Sequence, residues 1–457
     1  MDSSLAVDSI NVAKKEGNID IHDDSTWKQQ KSRREKNKSR NRPRGQTNQD
    51  RTLLIALLVL AVVTITQVVM VERFFVSTET PVVSHDIQYI KNTALNGRTE
   101  DAGSTTEGGL SGIINRAASA SSAASVSILR EPVDIVAEVL QRDVPLDVKE
   151  NLPSREEVVK LYGATPRILG LETCQAFRDT VKQQDAFIAP AGMFNTGTNL
   201  IYEYLEQNCN LPDKVRVHGI VSRGMRFQVP WGKHAPASWR LNHFAKDAPK
   251  SIDQTAFLPI VAIKDPFTWM QSMCRHGYAA FWPHSKQHCP NLVPMYPYEE
   301  QNKFGEVNTD SVKVGLKYDA YSQDRIIYDS LAHLWNEWYA EWLNVTHFPF
   351  LVVRFEDLLF HAEAVITEVC HCGGGVMEPF SMRKGKLDDS QGFQYIEDSA
   401  KGGQKIHEGS SGFATAITKV GEKIRMEQYT EEDMEFAKKV LRKDIMEVFH
   451  YTMPSSL

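Results

Sequence analysis

The chain has 457 residues, of which 42% are hydrophobic and 24% are charged, and its formal net charge is −6. The hydrophobic share excludes a wholly disordered chain, and the acidic balance gives no indication of nucleic-acid binding. Residues 1–52 hold twelve Lys and Arg against eight Asp and Glu, a net charge of +4, so the net charge of the remaining residues is about −10. An anion site in those remaining residues must therefore depend on a local cluster of basic side chains.

A basic segment near the N-terminus directly precedes a long apolar one. Ten of the residues from 27 to 51 are basic, and the nineteen residues Leu53–Val71 carry no charge. At about 1.5 Å per residue a helix of this length spans about 28 Å, which fits a bilayer core. Because a basic flank stays in the cytosol, we predict a cytoplasmic tail at 1–52 and a single transmembrane signal-anchor at 53–71. A nucleic-acid arm or a nuclear signal is the competing interpretation of the basic run.

The next stretch, 72–150, is rich in Gly, Ala, Ser and Thr and poor in large apolar residues. Such a composition cannot bury enough surface to offset ordering entropy, so we predict a flexible lumenal stem with a short helix at about Pro132–Arg142. The remaining residues, 151–457, are enough for one large α/β domain.

The first element of that domain that carries chemistry is the segment Pro190–Leu200, PAGMFNTGTNL. It follows the apolar run Asp185–Ala189 and precedes a helical pattern, so the predicted order is strand, glycine-bearing turn and helix. A turn of this kind directs backbone N–H groups at an anion. Gly192 and Gly197 have the G-x-x-x-x-G spacing of a Walker A loop, but Thr198 and Asn199 follow instead of Lys and Ser or Thr.

Three further strands and one long helix are predicted after this turn. Lys214–Ser222 is a strand candidate, Leu258–Ile263 is a continuous apolar run typical of a buried parallel strand, and Phe348–Leu358 is a buried strand that runs into a helix. Apolar residues at helical spacing predict an amphipathic helix over Gln323–Leu343. Strands that alternate with helices favour a parallel sheet flanked by helices, with its ligand at the carboxyl ends of the strands.

The Leu258–Ile263 strand leads into a second candidate anion site. Lys264 leaves the strand, Asp265 can cap the next helix and Pro266 suits its first turn. Ser272 follows Lys264 by eight residues, about two helical turns.

Six cysteines, which allow fifteen pairings, all follow the apolar segment. Cys274–Cys289 and Cys174–Cys209 are the predicted short-loop pairs. A zinc site at Cys370-His371-Cys372 is the competing interpretation, although its spacing is not that of a zinc ribbon. Asn344-Val345-Thr346 is a candidate glycosylation site.

Together these segments resemble the sulfotransferase superfamily, whose members bind 3′-phosphoadenosine 5′-phosphosulfate (PAPS). Asn195-Thr196-Gly197-Thr198-Asn199 aligns with the family's KSGTT loop around the 5′-phosphosulfate. Lys264-Asp265-Pro266 and Ser272 align with its RDP and serine motif around the 3′-phosphate. Phe348–Leu358 resembles a third stretch, with Phe355 in place of Tyr. The resemblance implies a P-loop-like fold, PAPS as co-substrate without a metal, and binding by Asn195, Thr196, Gly197, Thr198, Asn199, Lys264 and Ser272.

The family usually has Lys where this chain has Asn195. A leaving phosphate needs a nearby cation, so we predict that Lys233, in the turn-rich segment VPWGKHAPASWR, replaces it. The adjacent His234 is then the candidate general base, with His218 as a second candidate. Both could also be solvated loop residues. Three segments are candidates for covering the bound nucleotide. Ser381–Gly385 faintly resembles a family stretch over the 3′-phosphate, and the other two are glycine-rich basic loops at Lys401–Gly403 and His407–Gly409.

Three functions remain open at this point. The tail, span, stem and domain have the layout of Golgi glycan-modifying enzymes, so the first is a single-pass type II Golgi sulfotransferase acting on a glycan or glycoprotein. The second, suggested by Asn195, is a catalytically inactive lumenal protein that binds the nucleotide. The third is a Golgi glycosyltransferase, which would need a metal-binding D-x-D motif. Asp388-Asp389 is the nearest acidic pair and lacks that spacing.

Overall fold

The described part of the chain begins at residue 129 and ends at 454. The computed structural model leaves undescribed, within that range, residues 221, 247, 286, 295–309, 319–324, 379–380, 384–385, 389–391 and 398–411. The predicted tail, the predicted span Leu53–Val71 and most of the predicted stem thus lie outside the described residues. Among the described helices none is long and apolar enough to cross a membrane.

Helices and strands alternate along the described chain, as the sequence predicts for an α/β protein. The helices are α1 Pro132–Leu140, α2 Leu146–Lys149, α3 Arg155–Tyr162, α4 Cys174–Thr180, α5 Thr198–Asn208, α6 Pro212–His218, α7 Pro266–Arg275, α8 Leu331–Leu343, α9 Phe355–Phe360, α10 Ala362–Cys372, α11 Phe413–Thr418, α12 Glu422–Arg425, α13 Glu431–Val440 and α14 Lys443–Val448. The strands are β1 Ile168–Leu169, β2 Phe187–Gly192, β3 Cys209–Asn210, β4 Phe257–Ile263, β5 Ala280–Phe281, β6 Val314–Leu316, β7 Ile326–Tyr328, β8 Leu351–Arg354, β9 Val376–Met377, β10 Ser381–Arg383 and β11 Lys386–Asp388.

A four-stranded sheet in the order β1-β8-β4-β2 forms the centre of the domain. Strands β2, β4 and β8 are parallel, and β1 is an antiparallel edge strand beside β8. All seven residues of β4 are buried, as expected for a strand with parallel neighbours on both sides. The three parallel strands end at Gly192, Ile263 and Arg354, and therefore deliver the segments that follow them to one edge of the sheet.

The helix that follows β4 shows how the sequence sets a boundary. The carboxylate of Asp265 accepts hydrogen bonds from the backbone N–H groups of Phe267 and Thr268 at 3.0 and 3.1 Å, and Pro266 occupies the first turn. Both features favour a helix start at this position. The predicted strands at 258–263 and 348–358, the latter with its helix start, are confirmed.

Two predicted elements are wrong in type or in extent. Lys214–Ser222 is not a strand, because α6 occupies Pro212–His218 and ends where Gly219 takes a φ of 85°. The valines at 215 and 217 resemble a strand pattern, but Pro212 starts a helix and Val217 is 48% exposed. The long helix starts at Leu331 rather than at Gln323, because Ser330 caps it by accepting from the His333 N–H at 3.2 Å.

The predicted short helix in the stem forms as α1 and packs into the folded unit. Ile135 and Val136 of α1 belong to the main hydrophobic core, and they are 4% and 0% exposed. The core therefore includes residues that the sequence analysis assigned to the stem at 72–150.

The six cysteines form three disulfides: Cys174–Cys372, Cys209–Cys370 and Cys274–Cys289. The predicted pair Cys274–Cys289 is confirmed and the predicted pair Cys174–Cys209 is wrong. Cys174 and Cys209 are instead each bonded to a cysteine in the C-terminal turn of α10. That turn comes close to α4 and β3 only when the chain folds. Since Cys370 and Cys372 are oxidised, they are not available as zinc ligands. The chain is glycine at 375 because a Cβ there would lie 2.7 Å from the Cys370 Sγ.

Candidate functional site

A cavity of about 410 Å³ opens at the carboxyl edge of the sheet. The loop after β2, the residue after β4 and the first residue after β8 all contribute to its wall. This is the position at which open parallel sheets hold their ligands. The residues predicted from the sequence that line it are Asn195, Gly197, Thr198, Asn199, Lys233, His234, Lys264 and Ser272.

The loop after β2 turns sharply into α5 at Gly197. This residue has a φ of 87°, and a Cβ on it would lie 2.5 Å from the Phe355 ring. Only glycine satisfies both conditions. Thr198 and Asn199 begin α5 on the cavity wall, so the N-terminal end of this eleven-residue helix and its dipole face the cavity.

Thr196 differs from the other predicted residues of this loop. It is fully buried, its hydroxyl donates to the Met193 carbonyl at 2.7 Å, and it is not part of the cavity lining. Its side chain therefore shapes the loop from behind, and a direct contact with a ligand would have to come from its backbone.

The side chain of Asn195 is directed at the end of α7. Its amide nitrogen donates to the carbonyl oxygens of His276 at 2.8 Å and Ser272 at 3.3 Å. The His276 carbonyl lies at the C-cap, where a helix leaves carbonyls without an intrahelical partner, whereas the Ser272 carbonyl also accepts from the His276 N–H at 3.1 Å. Asn195 also has a φ of 61°, a conformation that Asn tolerates better than Lys does. Asn195 thus performs a structural task in this loop.

Lys264, Ser272 and Arg275 form a polar cluster on one wall. The Ser272 hydroxyl receives hydrogen bonds from the Lys264 ammonium at 3.1 Å and from the Arg275 guanidinium at 2.9 Å. Ser272 and Arg275 are three residues apart on α7, so they share a face of the helix. The predicted pair Lys264 and Ser272 is brought together, and Arg275 adds a second cation that the sequence analysis did not name.

Lys233 and His234 reach the cavity because their segment pairs with the end of β2. The Gly192 N–H donates to the Lys233 carbonyl at 2.8 Å, and His234 Nδ1 lies 2.7 Å from the Gly192 carbonyl. Since a carbonyl only accepts, Nδ1 carries the proton and Nε2 keeps its lone pair. The Lys233 ammonium donates to Asn199 Oδ1 at 2.7 Å, so this cation lies at the first turn of α5. The other base candidate, His218, is exposed at the end of α6 and is not part of this lining.

Burial lowers the pKa of three lysines around the cavity. Burial brings the pKa of Lys264 to about 7, with the Arg275 charge adding to the effect, and burial alone brings that of Lys233 to about 7. Burial and the Arg275 charge bring the pKa of Lys419 to about 8. Burial also lowers the pKa of His234 to about 4, with the Lys233 charge opposing protonation, so its imidazole is neutral at pH 7. Cations that are desolvated by burial in this way attract an anion.

A buried network behind the cavity fixes the strand ends. Asp265 pairs with Arg425 at 2.8 Å, and Glu356 accepts from the Asp265 N–H at 3.1 Å and from the Tyr451 hydroxyl at 2.9 Å. Burial raises the pKa of Glu356 to about 7, with the Asp265 charge adding to the effect. The network holds Lys264 at its position, because Asp265 is its neighbour in sequence.

Several lining residues were not found from the sequence. Arg275 could have been found as the residue one turn beyond Ser272, whereas Lys419, Phe227 and Tyr278 come from segments with no motif. Glu397 is the one carboxylate among the described lining residues, and it pairs with Arg142 at 2.8 Å. Of the predicted covers, Ser381–Arg383 forms β10, while Lys401–Gly403 and His407–Gly409 lie outside the described residues.

Among the described residues, no group of three or more His, Cys, Asp and Glu side chains is arranged to hold a metal ion. Comparisons with family models, with curated proteins and with solved structures find no match to this chain. Its function must therefore be argued from the site itself, which is a basic, partly apolar cavity with a helix N-terminus and a neutral histidine.

Proposed function

We propose that this protein is a P-loop-like sulfotransferase that moves a sulfuryl group from PAPS to a hydroxyl or amine of a glycan acceptor. The observation that carries the proposal is that two separate segments with the family's motif residues meet in one cavity. In particular, Lys264 and Ser272, eight residues apart, are joined at 3.1 Å on its wall.

The charged and apolar residues that line the cavity support binding of such a nucleotide. Lys264, Ser272 and Arg275 are donors suited to the 3′-phosphate, and Lys419 adds a further cation. Phe355 and Phe413 give an apolar wall suited to the adenine ring. The N-terminal N–H groups of α5 would bind the 5′-phosphosulfate, since a helix N-terminus favours an anion. Burial already lowers the pKa values of the lysines, and a bound anion would raise them again.

Transfer would need two tasks from the chain once PAPS supplies the sulfuryl group. As the bond between sulfur and the bridging phosphate oxygen breaks and a bond to the acceptor oxygen or nitrogen forms, Lys233 and the α5 N–H groups stabilise the charge on the departing phosphate. His234 accepts the proton of the acceptor at Nε2, because Nδ1 is held by the Gly192 carbonyl. The anion raises the low pKa of His234, which makes the imidazole a better base.

The proposed location is the Golgi membrane, with the domain in the lumen. The apolar run Leu53–Val71 behind a basic tail supports it, as do three disulfides, which persist in oxidising compartments. Asn344 of the glycosylation motif is exposed at the end of α8. Protease treatment of sealed vesicles tests this, and digestion of the domain without detergent would contradict it.

The function is tested by measuring binding of adenosine 3′,5′-bisphosphate and transfer of labelled sulfate from PAPS across a panel of glycans. We expect micromolar or tighter binding of the bisphosphate and label transfer to at least one glycan. Failure to bind the bisphosphate would overturn the proposal.

A second candidate function is nucleotide binding without turnover. The observation that favours it is that the Asn195 amide serves the end of α7, which leaves the loop without the family's cation. Tight binding of the bisphosphate together with no transfer to any glycan would establish this alternative. The glycosyltransferase alternative has less support, because Asp388 ends β11 without the required motif.

A further inference from the structure

Two aromatic rings at the cavity are more exposed than large apolar side chains usually are in a folded domain. Tyr278 is 46% exposed and Phe227 is 50% exposed, and both line the cavity. They lie beside the residues to which we assign the transfer chemistry, since the Lys233 ammonium is 3.3 Å from the centre of the Phe227 ring. Exposed aromatic rings at a polar cavity are typical of a contact surface for a ligand.

Tyr278 combines an unusual backbone conformation with a stacked ring. Its backbone φ is 51°, which is uncommon for a bulky residue. Its ring stacks on Phe194 with a centroid distance of 5.5 Å and an interplanar angle of 15°. Phe194 in turn lies 4.4 Å from the His234 ring. A row of three rings therefore leads from the candidate base to the exposed face of Tyr278, and strained backbone of this kind concentrates at functional sites.

The surroundings of these rings identify the chemical class of the ligand. His276, Gln228 and Glu397 line the same cavity, so polar side chains and aromatic rings are both present. A sugar ring matches this mixture, because it offers hydroxyls at its rim for the polar side chains and an apolar C–H face for an aromatic ring, whereas a fatty chain offers no hydrogen-bonding group.

We propose that Tyr278 and Phe227 form an acceptor subsite that holds the apolar face of a neutral pyranose. This inference deepens the proposed function and rests on it for the identity of the reaction. Because Phe194 stands between Tyr278 and His234, the sugar on Tyr278 is a neighbour of the sugar that reacts. The preferred acceptor is therefore an oligosaccharide rather than a single sugar.

The test uses the purified full-length protein saturated with adenosine 3′,5′-bisphosphate and a panel of neutral methyl pyranosides and their disaccharides. Saturation-transfer NMR should show contacts to the C–H face of a sugar in the wild-type protein. We expect Tyr278→Ala to lose these contacts while it keeps its bisphosphate affinity, and Tyr278→Trp to retain them. Phe281→Ala is the matched control, because Phe281 is 40% exposed close by but does not line the cavity.

Where a glycan substrate is found, Tyr278→Ala should raise its KM about tenfold and change kcat less than about twofold, since an aromatic contact that acts on binding alone has this signature. The subsite is overturned if no sugar in the panel contacts the wild-type protein, or if Tyr278→Ala and Phe281→Ala behave alike. Sugar contacts that depend on Tyr278 in a protein that does not bind the bisphosphate would keep the subsite and overturn the sulfotransferase.

Discussion

The side-chain amide of Asn195 lies 2.8 Å from the carbonyl oxygen of His276, so the loop after β2 is tied to the last turn of α7. That turn carries Ser272 and Arg275, which belong to the second candidate phosphate segment, the one that begins at Lys264. The two segments that resemble the family's phosphate motifs are thus joined directly by the residue that departs most from the family pattern.

We expect Asn195→Lys to lower the free energy of unfolding by about 1–2 kcal/mol, because it removes hydrogen bonds to two helix-end carbonyls and forces Lys into a positive φ. From the sequence alone this substitution would be expected to be tolerated, and the observed contacts reverse that expectation. Denaturant unfolding of the protein measures the effect. Asn195→Gly, which accepts the φ but lacks the amide, is the control and should lose less. A Lys variant as stable as the wild type would contradict this account.

Gly197→Ala should be costly for two separable reasons. The positive φ costs about 1–2 kcal/mol, and the overlap with the Phe355 ring adds about 1–3 kcal/mol. Gly197→Ala in a Phe355→Ala background is the control, because it keeps the positive φ but removes the ring that a Cβ would meet. The double-mutant cycle in chemical denaturation isolates the overlap. A coupling free energy near zero would mean that Phe355 moves away freely.

Lys264→Ala should weaken binding of adenosine 3′,5′-bisphosphate by about 1.5–3 kcal/mol, as expected for a lost charge-assisted hydrogen bond. Lys264→Arg should be mild, since it keeps the charge. Isothermal titration calorimetry measures both. The control is Lys214→Ala, because the pKa of Lys214 is also lowered by burial, to about 8, but Lys214 does not line the cavity. Unchanged affinity in Lys264→Ala would remove Lys264 from the nucleotide site.

Lys233→Ala and His234→Ala should each lower turnover by about 10²–10³ while bisphosphate affinity changes little. The reason is that Lys233 lies at the start of α5 and His234 keeps the Nε2 lone pair, because Nδ1 carries its proton toward the Gly192 carbonyl. Single-turnover transfer of labelled sulfate to a confirmed acceptor measures the loss. His218→Ala, at the exposed end of α6, should retain full turnover. If instead only His218→Ala loses activity, the general base is His218 and not His234.

Binding of the bisphosphate should weaken as the pH rises from about 7 to 9. In the free protein the pKa of Lys264 is about 7 and that of Lys419 is about 8, so these side chains lose their charge in this range. A bound anion raises these pKa values, and binding must therefore take up protons. Calorimetry in buffers of different ionisation enthalpy measures the uptake. Lys264→Arg should flatten the dependence, because Arg stays charged; an uptake near zero in the wild type would contradict the lowered pKa values.

The same lysines affect the stability of the unliganded protein in the opposite direction. Their pKa in the unfolded chain is near 10.5, above the folded values. Between about pH 7 and 10 the unfolded state therefore binds more protons, so the free energy of unfolding rises with pH from this contribution.

The central strands and the two candidate phosphate segments could be predicted because their signals are local. The apolar run before Lys264, the Asp265-Pro266 helix start and the glycine at 197 each specify a short piece of backbone. The sheet then brings the pieces together, because parallel strands share a carboxyl edge.

Features that depend on distant contacts could not be predicted in the same way. The partners of Cys174 and Cys209 are 198 and 161 residues away, and no spacing rule selects them. Lys419 and Tyr278 join the cavity from segments without a motif. The helix α6 was mistaken for a strand because two alternating valines fit either period in so short a segment.

The two long-range disulfides have a consequence for biosynthesis. Cys174 and Cys209 are synthesised well before Cys370 and Cys372. At a synthesis rate of about 5–20 residues per second, the interval between the early and the late cysteines is roughly ten to forty seconds. During that interval the two early thiols are each other's nearest partners on the nascent chain, and the pair they would form does not occur in the native domain. A Cys174–Cys209 disulfide formed during this interval must be reduced or exchanged by thiol–disulfide exchange before the two native disulfides to α10 can form. The yield of this protein from an expression host should therefore follow the host's isomerase capacity.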